Sequence, residues 1–245
     1  MALFTDGTIS TLEDLRSYES SIYDLASTER IDLSRKLVLA QRELEIELTS
    51  KFFRDSHDDL RRVVVTPPLQ LWHLFHTLSL AYRDAHHSQL NDRYLAKWRE
   101  YEKLSKWALT NLLASGVGMV GEPIPKAAPP TLTTAMGSSG AEMYWVRAAW
   151  VGQNGEEGCP SEPAVLSAAE GTVPVAAVAE APAVATGWNV YAGTAIDNAR
   201  LQNASPIPLG SSWTMPSTGL EAGRIAASGQ SPSSYLRAEQ VLRRG

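Results

Sequence analysis

Residues 116–131 read GVGMVGEPIPKAAPPT. Three glycines and then four prolines end the helical pattern that precedes them. Proline lacks an amide N–H and holds φ near −65°, so such a run suits neither a helix interior nor a central strand. The string Gly116-Val-Gly118-Met-Val-Gly121 matches G-x-G-x-x-G. That motif cradles a pyrophosphate only when a strand precedes it and a helix follows. Here a helical pattern comes before and prolines come after, so the string predicts a helix terminus and a flexible hinge. Residues 121–131 read as a Pro-rich linker.

Upstream, charged residues are dense, and all five histidines (His57, His73, His76, His86, His87) lie before the linker. Ser10-Thr-Leu-Glu13 fits a capping box. Leu12, Leu15, Tyr18, Ile22 and Leu25 then follow at helical spacing, with a break or recap at Ser27 or Thr28. A second stripe runs through Leu33, Leu37, Ala40, Leu44, Leu48 and Phe52. Residues 55–66 read as a connection, and Pro67-Pro68 suit a helix start, where a missing N–H costs nothing. Leu71, Trp72, Phe75, Leu78 and Tyr82 form the next stripe. Asn91 or Asp92 caps or interrupts, and Tyr94, Trp98, Tyr101, Leu104, Ala108 and Leu112 form the last. Gly116 supplies a left-handed C-cap. Residues 1–120 thus predict an antiparallel α-helical bundle of about four helices, the last pair separate or continuous.

Downstream the period changes to two. Tyr144, Val146, Ala148 and Trp150 alternate with Trp145 and Arg147, and Asn154-Gly155 offers a hairpin turn. Residues 163–168, 172–178, 188–192 and 212–215 read as further short strands. Their spacing predicts a small β-sandwich over 132–222. Residues 223–245 follow as a C-terminal arm ending in the basic Arg243-Arg244. The fold class is therefore α+β and multidomain.

Composition excludes several function classes. The chain has 245 residues, 44% hydrophobic and 20% charged, as ordinary globular domains have. Its net charge of −5 argues against a basic nucleic-acid coat. No apolar run approaches the ~20 residues of a spanning helix. MALFTDGTIS lacks the basic and apolar regions of a secretory signal. A single cysteine, Cys159, excludes an internal disulfide framework and a Cys-rich zinc site.

Site signals are few. His73, His76, His86 and His87 could ligate a metal, but no carboxylate sits at a matching spacing, so packed or interfacial histidines are the better reading. Asp55, His57, Asp58 and Asp59 lack the glycine and terminal glutamate of a calcium loop. They read as a solvated loop or a helix cap. Cys159 has no evident base and reads as a passive thiol. The β half holds no histidine and one aspartate, Asp197, so it cannot assemble a hydrolytic triad by itself. Arg61-Arg62 and Arg243-Arg244 are solvated doublets or contacts for acidic partners or DNA phosphate.

The order of parts resembles a head–tail connector (adaptor) protein of a tailed bacteriophage or prophage-like particle. The helical likeness rests on residues 10–115, notably IDLSRKLVLAQRELEIEL. MYWVRAAWVGQNGEEGCPSEPAVLSA, TGWNVYAGT and PIPLGSSWTMPSTGL resemble strands of immunoglobulin- or fibronectin-III-like sandwiches in virion proteins. YLRAEQVLRRG looks like the ending of a phage structural protein. The resemblance implies a non-enzymatic virion protein of the neck, made in the bacterial host cytoplasm and needing no cofactor and no metal. It implies a homo-oligomeric ring of twelve copies between the portal protein and a downstream neck or tail protein. DNA would pass through the channel without sequence-specific binding, and no membrane would be engaged. Residues 230–245 would be the portal-binding arm, with Tyr235, Leu236, Val241 and Leu242 as apolar contacts and Arg237, Arg243 and Arg244 as polar ones. The sandwich would lie outside the ring. Rival readings are a stopper, collar or fibre-attachment protein, or a carbohydrate- or surface-binding module on a helical stalk. Tryptophans Trp145, Trp150, Trp188 and Trp213 exposed on one sandwich face would favour the module; burial between sheets would count against it. A metal-dependent enzyme using the four clustered histidines is the remaining rival.

Overall fold

The computed structural model describes residues 1–53, 57–89, 92–138, 140 and 142–237. It is α+β, with helices first and strands after. The chain divides into two compact units: Gly7–Gly121 with the stretch beginning at Pro232, and Met1–Asp6 with Glu122–Ser231.

The first unit is helical. Helix α1 is Leu12–Tyr18. Its capping box uses Thr11 and Asp14: the Asp14 amide donates to Thr11 Oγ1 (3.1 Å) and the Thr11 amide donates to Asp14 Oδ2 (2.7 Å). The expected pair, Ser10 and Glu13, is one residue off because Ser10 is fully buried and bonds His73 instead. The run expected to continue to Ser27 breaks earlier. Glu19 takes an extended backbone, and α2 restarts at Ile22–Glu29, closed by Arg30 at φ 55°. Helix α3 is Leu33–Phe52; Asp32 Oδ1 caps the Arg35 amide at 3.0 Å, and Leu33, Leu37, Ala40, Leu44 and Leu48 form its buried stripe. A 3-10 turn spans His57–Arg62.

Helix α4, Pro67–Gln89, opens on the proline pair. Leu69, Trp72, Leu74, Leu78, Leu80 and Ala81 are all buried, so apolar residues surround it, as they do in a central helix. After a 3-10 turn at Asp92–Tyr94, α5 runs Leu95–Ser115 and buries Tyr101, Ser105, Ala108 and Leu112. Gly116 ends it with φ +94°. Half of the glycine string, expected as a hinge, forms a strand. Strand β1, Val117–Met119, is buried and pairs antiparallel with β10, Ser234–Leu236 (Val117↔Leu236, Met119↔Ser234). A Cβ on Gly118 would lie 2.9 Å from both Pro232 Cγ and Thr66 Cγ2, so this close approach requires glycine.

The second unit holds β2 Thr131–Met136, β3 Glu142–Gly152, β4 Ala164–Ala168, β5 Thr172–Ala177, β6 Ala185–Gly193, β7 Arg200–Leu201, β8 Ile207–Pro208 and β9 Trp213–Thr214. One antiparallel sheet has the order β2-β5-β9; the other has β4-β3-β6-β7, with β8 also on β6. Both sheets contribute to one core, which includes Tyr144, Val146, Trp150, Val173, Trp188 and Trp213. The alternation expected in β3 is present: Tyr144, Val146, Ala148 and Trp150 are buried in that core, while Trp145 and Arg147 are half-buried on the other face. The expected turn forms, with Gly155 at φ +76°.

The proline-rich stretch is packed. Ile124 and Ala127 join the core, and Asp6 accepts hydrogen bonds from the Lys126 amide (2.8 Å) and the Leu3 amide (2.7 Å). Residues 223–231 also lie against this unit. The Leu201 amide donates to the Arg224 carbonyl, and the Gln230 carboxamide is bonded through both its oxygen and its nitrogen. Its oxygen accepts from the Ile124 amide (2.7 Å), and its nitrogen donates to the Glu122 carbonyl (2.9 Å) and Glu156 Oε2 (2.7 Å).

Candidate functional site

Strand β10 places Tyr235, Leu236 and Arg237 together at an exposed ribbon, with Tyr235 57% exposed. One edge of β10 is taken by β1. The far edge of β1 is taken by residues 62–64: the Val64 amide donates to the Gly118 carbonyl and the Val120 amide to the Arg62 carbonyl, both at 2.9 Å. Arg62 Nε also donates to the Val120 carbonyl (2.9 Å), whereas Arg61 is exposed. Val241, Leu242, Arg243 and Arg244 lie outside the described residues.

The histidines separate by environment. His73 is fully buried, with Nδ1 3.0 Å from Ser10 Oγ and Nε2 3.0 Å from the Leu37 carbonyl. A carbonyl only accepts, so Nε2 carries the proton and Nδ1 accepts from Ser10. Burial pushes its pKa down to about 4, the Leu37 bond opposing this. With both nitrogens engaged, it has no lone pair for a metal. His86 and His87 pack on Trp98, with ring centroids 5.7 and 5.4 Å away. Asp55 and the side chains of His57, Asp58 and Asp59 lie outside the described residues. Among the described residues no group of three or more His, Cys, Asp or Glu could hold a metal ion.

His76 belongs to a groove that the sequence reading missed. Its Nε2 lies 2.6 Å from Glu43 Oε2 on α3, and its Nδ1 lies 3.5 Å from Ser105 Oγ on α5. A carboxylate partner thus exists, but 33 positions away, where no local spacing rule finds it. Helix α4 forms the floor with Trp72, Ser79, Leu80 and Arg83; α3 and α5 form the walls. The groove is open to solvent on one side and has a volume of about 390 Å³.

A second polar cluster sits at the α1–α2 break. Glu19 accepts from Ser21 Oγ (2.7 Å), Tyr101 Oη (2.8 Å) and Lys97 Nζ (3.0 Å). Burial alone would raise its pKa; these three donors more than offset that and hold it at about 2. Burial and the adjoining Glu19 push the Tyr101 phenol up, so it stays a donor.

In the strand unit, Trp150, Trp188 and Trp213 are buried in the core. Burial counts against a tryptophan platform on the surface of this unit. Burial pushes the Cys159 thiol up, away from the reactive thiolate. Tyr191 donates to Glu157, which also pairs with Arg224; the Arg224 guanidinium lies 5.6 Å from the Tyr191 ring centroid. This network clasps residues 223–226 on the outer face of β6.

No helix of the described residues is long and apolar enough to cross a membrane. No protein-family model and no curated protein matches the chain.

Proposed function

We propose that the chain is a structural protein of a phage-like particle, the head–tail adaptor, acting by ring assembly and by docking its C-terminal segment on a portal protein. The reading is non-enzymatic and needs no cofactor. One observation carries it: the exposed Tyr235, Leu236 and Arg237 ribbon, held on β1 and leading into the basic C-terminal residues. A strand fixed along one edge gives the following residues a defined point of departure toward a partner. Finer fold assignments go with it. Sheet order β4-β3-β6-β7 opposite the β2–β5 pair supports an immunoglobulin- or fibronectin-III-like sandwich, in which C, F and G face B and E. The central α4 with helices around it supports a helical bundle.

The test is electron microscopy of the particles with which the chain co-purifies. Twelvefold density between capsid vertex and tail is the expected result. Threefold or sixfold density further down the tail would replace the adaptor with a stopper, collar or fibre-attachment role. A free monomer with no assembly would end the virion reading. A chain truncated after Arg237 keeps β10 and should fold normally while losing the portal. Deletion from Pro232 onward is a poorer test, because it strips the cover from buried Val117 and Met119.

A further inference from the structure

We propose that the groove between α3, α4 and α5 binds an anionic amphiphile, a medium-chain carboxylate whose head meets Arg83 and Ser79 and whose chain lies over Trp72, Leu80 and Trp98. The proposal does not require the adaptor reading. It follows from which groups in the groove already have partners.

The three carboxylates lining it are each paired: Glu43 with His76 (2.6 Å), Glu47 with Lys51 (3.2 Å) and Glu102 with Lys106 (2.7 Å). Arg83 also lines it, half-buried, and makes no ion pair or hydrogen bond among the described residues. Its neighbour Asp84 is engaged by Lys36. Ser79 is only 7% exposed, and its hydroxyl makes no hydrogen bond among the described residues. Arg83 and Ser79 lie one helical turn apart, on one face of α4. The two groups left without partners can both donate, and one of them is a cation, so a carboxylate accepts from both. Beside them Trp98 and Leu109, both half-buried, offer apolar area next to the buried Trp72 and Leu80. A volume of about 390 Å³ is within the range of small-molecule sites, roughly 300–1,000 Å³.

Isothermal titration of the full chain with octanoate, below its micelle concentration, tests this. The expected result is saturable one-to-one binding. Hexanoate should bind more weakly and decanoate more tightly, by about fourfold per methylene buried. Octanol and octylammonium should bind at least tenfold more weakly than octanoate. Arg83→Gln should lose tenfold or more of the octanoate affinity while far-UV circular dichroism stays unchanged. If that variant fails to fold, Arg83→Lys, which keeps the charge, and Ser79→Ala should each weaken binding to a lesser degree. Absence of saturable binding would overturn the proposal. So would octylammonium binding as tightly as octanoate, or folded variants at Arg83 and Ser79 that bind octanoate like the parent chain.

Discussion

His73 and Glu19 give the helical unit two successive responses to acid. His73 is held neutral in the fold at about pKa 4, against an ordinary 6.5. Below pH 6.5 the unfolded chain binds a proton that the folded chain refuses, so stability falls as pH drops from 6.5 to 4 and levels off beneath. The shift corresponds to about 3 kcal/mol. Hydrogen-exchange protection of α4 amides should fall by about that amount across the window. His73→Gln, which retains a donor and an acceptor, should flatten that slope. Glu19 acts in the same direction, in a more acidic window. Its folded pKa of about 2 lies below the ordinary 4.5, so its contribution is complete above pH 4.5 and is lost as pH falls through 2. The contribution is again about 3 kcal/mol, since the carboxylate is nearly buried. Glu19→Gln should destabilise the α1–α2 break at neutral pH and remove the dependence between pH 4.5 and 2. Denaturant midpoints measured against pH for both variants separate the two windows.

At the scale of elements, the β1–β10 ribbon depends on one position. Gly118→Ala would set a Cβ 2.9 Å from a proline ring and a threonine methyl, and neither is the far end of a flexible chain. The expected cost is about 1–3 kcal/mol, read as a lower denaturant midpoint and faster exchange of the amides of β1. The sequence was legible wherever a period ran long enough to be counted. The stripes of α3, α4 and α5 and the alternation of β3 each extend over several side chains, and each corresponds to an element found. Strands β1 and β10 have three residues each, too few to show alternation, and their hydrogen-bond partners lie over a hundred positions apart. The proline-rich stretch reads as a linker by composition because its partners, Asp6, Cys159 and Gln230, are remote in sequence. For the same reason the groove was invisible: Glu43, His76 and Ser105 come from three helices, and only packing brings them together. The misplaced capping box has a different cause. Two hydroxyls and two acids stand side by side, and burial of Ser10 against His73 decided between them.

At the scale of the whole molecule, the proposed ring assembly would need apolar contact area that the folded unit does not use internally. Helices α3 and α5 carry such side chains: Ile46 is 68% exposed and Trp107 54% exposed. Neither closes the core around α4, so neither is explained by the stability of the unit itself. A well-exposed tryptophan is the residue type most enriched among interface positions that dominate binding energy. The net charge of −5 is compatible with the proposed conduit, because an acidic chain neutralises few phosphates and so gains little affinity for DNA. Both consequences are measurable on the purified chain. Sedimentation velocity at rising concentration should show larger species, and Ile46→Glu with Trp107→Glu should abolish them while far-UV circular dichroism stays the same. Fluorescence anisotropy of a labelled duplex should show no binding at micromolar protein in low salt. Tight DNA binding would remove the reading of a passive channel. Assembly unchanged in the double variant would move the subunit contacts away from α3 and α5, onto surfaces other than these two exposed side chains.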